Sequence, residues 1–293
     1  MKKGIIYGVL AYFLWGVFPI YWKLLQDVRA PEILMHRIVW SFGFVLVIMA
    51  LRNNWEWLRL LYRNPRQGAI FLISAVLLSV NWLTFIWAVN HNFIVEASLG
   101  YFINPLVSVL LGVLFLKERL RMGQVLAILL AVAGVVYLTV NYGRFPWIAL
   151  TLVFTFGTYG LLRKIAPLGS LEGLGIETAV LCIPALAVIV YFEHIGAAAF
   201  LHSGLLTTLL LVGAGAVTAT PLLLFSAAAR RITLTAVGLL QYIAPTLQFI
   251  IGVAVYGEPF SRVRFIGFCF IWVALAIYTA EGLYQTHRHR LHR

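Results

Sequence analysis

Charge is scarce in this chain of 293 residues, and acidic charge is scarcest. Ten Asp and Glu stand against 22 Lys and Arg, and charged residues make up only 11% of the whole, where soluble domains carry about 25%. Asp27 is the sole aspartate, which excludes a two-aspartate intramembrane protease within one chain. No HExxH helix, GxSxG turn or GxxxxGK phosphate loop occurs, so zinc hydrolysis, acyl transfer through a serine and direct use of ATP lack their usual machinery. The expectation is a protein that is not an enzyme and needs no cofactor or metal. Cys182 and Cys269 are the only cysteines, both within apolar runs, which excludes a disulfide framework and a thiolate metal site. Long polar links are missing too. The longest, residues 52–67, leaves no room for a soluble domain.

What fills the chain is apolar sequence: 62% of the residues are hydrophobic. Windows of about 20 apolar residues, enough to cross a hydrocarbon core about 30 Å thick, follow one another at residues 4–22, 33–51, 68–89, 96–116, 123–140, 146–162, 173–192, 205–225, 235–256 and 263–283. The reading is an all-α polytopic membrane protein with ten transmembrane helices. The first window lacks a small-residue cleavage site and is read as a retained helix rather than a signal peptide. The net charge of +12 does not point to nucleic acid, because the basic residues sit in short inter-helix links instead of on one aromatic-studded face. Placing Lys2, Lys3, Arg52, Arg59, Arg63, Arg66, Lys117, Arg119, Arg121, Arg163, Lys164, Arg230 and Arg231 inside the cell leaves few basic residues outside, so both termini are expected in the cytoplasm. The HRHRLHR end, residues 287–293, then reads as a basic tail facing lipid headgroups rather than a metal site.

Shifting the sequence by 140 positions lays LGYFINPLVSVLLGVLFLKERL on LLQYIAPTLQFIIGVAVYGEPF, with Pro105 on Pro245, Gly112 on Gly252 and Glu118 on Glu258. The register holds backwards to Phe85 on Phe225 and Glu32 on Glu172, and at a shift of 141 Gly16 meets Gly157. A five-helix unit is written twice, over residues 1–142 and 143–285, followed by the tail at 286–293. An odd number of helices forces the second unit to enter the membrane from the opposite side, giving inverted repeats, a recurrent plan of secondary transporters.

Polar side chains inside apolar spans are costly without partners and mark functional positions. Ser98, Tyr101, Asn104, Ser108 and Gly112 share one face of the fourth helix, and their matches Gly238, Gln241, Ala244, Gln248 and Gly252 repeat that face on the ninth. Pro105 and Pro245 are expected to kink these two helices and free a backbone carbonyl four residues back. The substrate cavity is therefore assigned to Trp15, Trp40, Asn81, Trp82, Tyr101, Asn104, Gln241, Tyr242 and Gln248. The competing reading of the same residues is helix packing, with small residues for close approach and polar groups as interhelical glue. Arg37, preceded by His36, lies near the outer face, and its match Glu177 near the inner face. Each is expected to close a gate at its own end, Arg37 with Glu96 or Glu258 and Glu177 with Arg230 or Arg231; headgroup snorkelling is the alternative for the arginine.

At NWLTFIWAVNHNFIVEASLGYFINPL (81–106), MHRIVWS (35–41) and QYIAPT (241–246) the chain resembles the RarD branch of the EamA family, in the drug/metabolite transporter superfamily, along essentially its whole length. The resemblance implies a ten-helix permease of the bacterial inner membrane, with chloramphenicol sensitivity or export of amino acids and other small metabolites as the expected activity. Its expected partners are a small-molecule substrate, the lipid bilayer and, if His36 or Glu177 titrates in transport, protons; a monomer is expected. A lipid-carrier flippase and a small-solute channel are the alternatives, the second disfavoured by the absence of a repeated filter loop.

Overall fold

The structure is a computed structural model that describes residues 2–52, 65–117, 120–142, 145–166, 168–229, 231–232 and 240–291. Its helices are α1 (Lys2–Gly16, resuming as Phe18–Lys23), α2 (Ala30–Arg52), α3 (Pro65–Asn90), α4 (Ile94–Leu116), α5 (Met122–Tyr142), α6 (Trp147–Ile165), α7 (Ser170–His194), α8 (Leu205–Ala229), α9 (Ile243–Ile250, ending in a π turn at Ile251–Val255) and α10 (Arg262–Leu291). Among the described residues eight apolar spans are long enough to cross a membrane, and α6 and α9 are shorter apolar helices. No strand occurs among the described residues. The all-α reading and the order of the apolar segments thus match the sequence, while α10 runs on as helix to Leu291 through most of the basic tail.

Successive helices run in alternating directions, so the bundle has a proximal end, where α1 begins, and a distal end, where it finishes. Interhelical contacts keep this sidedness: α2 meets the α7–α8 loop distally through Glu32 and Ala199, whereas α6 meets α7 proximally through Arg163 and Glu177. The main partners are α1 with α8 and α9, α6 with α3 and α4, α2 with α7 and α8, and α5 with α10. Without water to drive helices together in lipid, close approach depends on small residues. A Cβ at Gly8 would strike Leu240, and one at Gly16 would strike Leu247, so these glycines let α1 lie against the second half of the chain. Gly157 on α6 plays the corresponding part, its Cα facing Val107 and Leu111 of α4.

Two proline effects differ from expectation. Pro105 lies inside α4, which continues as helix around it. Pro245 sits in the first turn of α9 as described, where its missing N–H has no helical partner to lose, so there it opens a helix instead of kinking one. The break that matters is in α1. Pro19 cannot donate to the carbonyl four residues back, and the helix is interrupted at Val17. The carbonyl so released, that of Trp15, accepts a hydrogen bond from Gln248 Nε2 of α9 at 3.1 Å.

Candidate transport site

Arg37, about two turns into α2, is only 3% exposed. Its guanidinium lies 3.9 Å from the ring centroid of Trp82, 4.9 Å from Trp22 and 5.8 Å from Phe18. Its ionisable neighbours are the phenols of Tyr21 and Tyr101. Nε and Nη1 are buried without a hydrogen-bond partner among the described residues. Neither expected acid partner meets it. Glu96 accepts from the Ile148 amide at 3.2 Å, and Glu258 accepts from the amides of Ile94 and Val95 at 2.6 and 2.8 Å. Aromatic faces have taken the place of a carboxylate.

Glu177 is fully buried in α7. Tyr159 donates to its Oε2 at 3.3 Å, and Arg163 approaches Oε1 at 3.9 Å. Arg163 also donates to the Gly169 carbonyl at 2.7 Å and lies over Phe71 of α3. The cation expected here was Arg230 or Arg231. Arg230 lies outside the described residues, as do Glu118 and Gly238, and Arg231 is exposed and bonds the Ala227 carbonyl. The two clusters occupy matched positions. A shift of 140 carries Arg37 onto Glu177, and a shift of 141 carries Phe18 onto Tyr159 and Trp22 onto Arg163. A cation among aromatic rings near the distal end thus answers an anion between a phenol and a cation near the proximal end.

Between these clusters lie most of the remaining sequence-assigned residues. Asn81 on α3 donates to the Leu152 carbonyl and to Thr155 Oγ1 of α6, both at 3.0 Å, and its Oδ1 accepts from Tyr101 at 3.3 Å. Asn81 therefore ties three helices together, combining the packing and site readings. Tyr101 and Tyr159 lie deep in the protein yet keep accessible surface, as expected of side chains that border an internal space. Asn104, one turn from Tyr101, holds a buried Oδ1 without a hydrogen-bond partner among the described residues. Trp15 is half-buried against Tyr12 and Phe225. Trp40 donates to His36 Nδ1 at 3.2 Å, and the His36 ring lies 4.6 Å from that of Phe200.

Three members are placed otherwise. Gln248 is spent on the Trp15 carbonyl, Ser108 of the expected polar face is exposed, and Tyr242 lines an apolar cleft of about 430 Å³ with Phe102, Trp272 and Thr279 on the α10 side of α4. Gln241, beside Tyr242, precedes α9. Sequence reasoning missed Tyr159 and Arg163, although the repeat itself could have found them by carrying Phe18 and Trp22 forward.

The distal end is closed by carboxylates acting on backbone. Glu32 accepts from the amides of Ala199 and Phe200 at 2.7 and 3.1 Å, and Glu258 caps α4, whose own N-cap residue, Phe93, makes no side-chain capping bond. Burial raises the Glu258 carboxyl, while the Val95 and Ile94 amides, Arg264 and Lys23 draw it back down. Lys23 in turn donates to the Val89 carbonyl at 3.2 Å and to Asn92 at 2.6 Å, joining α1 to the α3–α4 turn.

An all-helical bundle that buries polar and charged groups between apolar spans is the architecture of a membrane transporter, and the comparisons agree. Residues 2–140 match the EamA-like transporter family. The RarD protein of Streptomyces exfoliatus is 47% identical over 99% of this chain and 92% of its own length. YojE, an uncharacterized transporter of Bacillus subtilis, is 48% identical over 95% of this chain and 94% of its own. A solved crystal structure shares the fold with a TM-score of 0.58 at 20% identity, over 96% of this chain and 97% of that one. The chain belongs to the RarD branch of the EamA family, within the drug/metabolite transporter superfamily.

Proposed function

We propose that this protein is a secondary transporter of small metabolites, such as amino acids or amphenicol-like drugs, working as an exporter by alternating access between two inverted five-helix repeats in a bacterial inner membrane. The observation that carries the reading is the pair of matched clusters, Arg37 with Phe18 and Trp22 and Glu177 with Tyr159 and Arg163, buried toward opposite ends of one bundle. An inversion is what puts matched residues at opposite ends. Helix pairing supports it too, since adding five to α1·α9 gives α6·α4 and adding five to α3·α6 gives α8·α1. In this reading the distal end faces outward, both termini are cytoplasmic, and Glu177 with Arg163 holds the inner gate.

The test has two parts. Reconstituted protein should give saturable flux of at least one solute from a panel of amino acids and amphenicols, with and without a pH gradient; flux no greater than that of protein-free vesicles across the panel would remove the transporter reading. Glu177→Gln and Arg163→Gln should each raise cysteine labelling from the proximal side in a background lacking Cys182 and Cys269. Unchanged labelling would reduce the pair to packing. A lipid-carrier flippase is favoured by one observation, the open apolar cleft beside Tyr242 and Trp272, and would appear in the same vesicles as flux that depends on lipid headgroup.

A further inference from the structure

We infer that Arg37 is the receptor for a carboxylate, and that the solute carried by this protein bears a single carboxylate on a small aromatic or apolar body. The inference rests on the transporter reading and narrows its substrate. A guanidinium stays charged at every relevant pH. Arg37 nevertheless sits 3% exposed, with Nε and Nη1 buried and unanswered by any acceptor among the described residues. Ring faces at 3.9 and 4.9 Å attract the cation, but they offer no lone pair to an N–H donor and offset only part of the cost of removing the charge from water.

Three acids at this end are engaged with backbone amides, Glu258 with Ile94 and Val95, Glu96 with Ile148 and Glu32 with Ala199 and Phe200, although Glu32 Oε2 is buried without a hydrogen-bond partner among the described residues. Among the described residues the ionisable neighbours of Arg37 are phenols and not carboxylates. The matched cluster differs: Glu177 has a cation at 3.9 Å and a hydroxyl donor at 3.3 Å, although its Oε1 and Arg163 Nη1 make no hydrogen bond among the described residues. Arg37 has the charge and the donors without the counterpart. A carboxylate supplies what is missing, two oxygens that accept from parallel N–H groups of a guanidinium.

The surroundings set the rest of the ligand. Trp82 and Phe18 present apolar faces, and Tyr101, bonded to Asn81, and Tyr21 bring phenols to the site. Between the two matched clusters, Arg163 stands 3.9 Å from Glu177 while Arg37 faces phenols and no acid among the described residues, which suits a ligand with one negative group.

The test is binding to the full-length purified protein in detergent at fixed ionic strength, read by tryptophan fluorescence and by melting temperature. The probes are matched sets: phenylalanine, phenylacetate and phenylalaninamide, and leucine, isocaproate and leucinamide. At least one acid should bind saturably and at least about tenfold more tightly than its amide. Arg37→Gln should weaken that acid about thirty-fold or more, and Arg37→Lys should recover part of the loss. Binding of the amides as tight as that of the acids, no binding by any acid, or an Arg37→Gln protein that binds the acids like the wild type would each overturn the proposal. Should Arg37→Gln fail to fold, the wild-type comparison of acid with amide decides alone. Liposome flux separates the two readings. Flux of a neutral amphenicol without acid binding removes the carboxylate site and keeps the transporter; acid binding without flux of any solute keeps the site and removes the transporter.

Discussion

Gln248 and Pro19 lie far apart in sequence yet act on one atom, the Trp15 carbonyl, and this gives a sharp prediction. Pro19 denies that carbonyl its helical donor, and Gln248 Nε2 replaces it at 3.1 Å from α9. Gln248 is 3% exposed, so Gln248→Leu leaves a buried acceptor that water does not readily reach. Leaving such a group unsatisfied costs about 1–3 kcal/mol. Part of this is returned, because Gln248 Oε1 is itself buried without a partner and leaves with the side chain. The single variant should therefore lose about 1–2 kcal/mol of stability. In a Pro19→Ala background residue 19 regains an N–H that can bond the Trp15 carbonyl within α1, and Gln248→Leu should then cost close to nothing. A double-mutant cycle by denaturation in one detergent reads the coupling directly, expected at about 1 kcal/mol or more. An equal loss in both backgrounds would show that Gln248 does not act through that carbonyl.

Glu258→Ala should speed amide exchange of Ile94 and Val95 by about tenfold or more while leaving the middle of α4 protected, since the cap of that helix comes from the α9–α10 link; exchange mass spectrometry resolves the first turn of α4. Gly215→Ala should destabilise the bundle by about 1–3 kcal/mol, because the new methyl would meet the backbone of Trp40 and Ser41, which has no side-chain freedom with which to yield. A melting temperature equal to that of the wild type would show α2 and α8 to be further apart than described.

The helices were legible because lipid asks for length and apolarity, and both can be counted along the chain. Depth was legible too: residue position along a span placed Arg37 and Glu177 toward opposite ends. Partnership was not. Which neighbour a side chain meets depends on the rotation of its helix and on which helices adjoin, and neither is written in a hydropathy window. Glu96 and Glu258 lie at the depth expected for partners of Arg37 but point to backbone amides. The break in α1 escaped for a related reason, since a single Pro19 hardly lowers the average of a long apolar window although it redirects a carbonyl. Gln248 was assigned to the cavity by its place on a polar stripe, and Tyr242 was assigned with it. In the fold Tyr242 lines a cleft against α10 and Gln248 holds α1.

The divergence of the two matched clusters bears on how the halves share their work. On the proposed alternating-access reading, if both halves carried an ion pair, exchanging their shapes would change little inside the bundle whether or not solute was present. The second half has an ion pair in Glu177 and Arg163, 3.9 Å apart, with Glu177 Oε1 and Arg163 Nη1 making no hydrogen bond among the described residues. The first has replaced the residue matching Arg163 by Trp22 and the residue matching Glu177 by Arg37, so it holds a cation against rings that cannot neutralise it. Cation–π contacts contribute about 2 kcal/mol when desolvated, against an effective penalty of several kcal/mol for an ion taken from water. The balance has to come from water entering beside Arg37 or from an anion bound there. On the proposed transport reading, a bundle built this way would resist sealing around an empty site and seal readily around a filled one, the coupling of occupancy to conformation that exchange across a membrane requires.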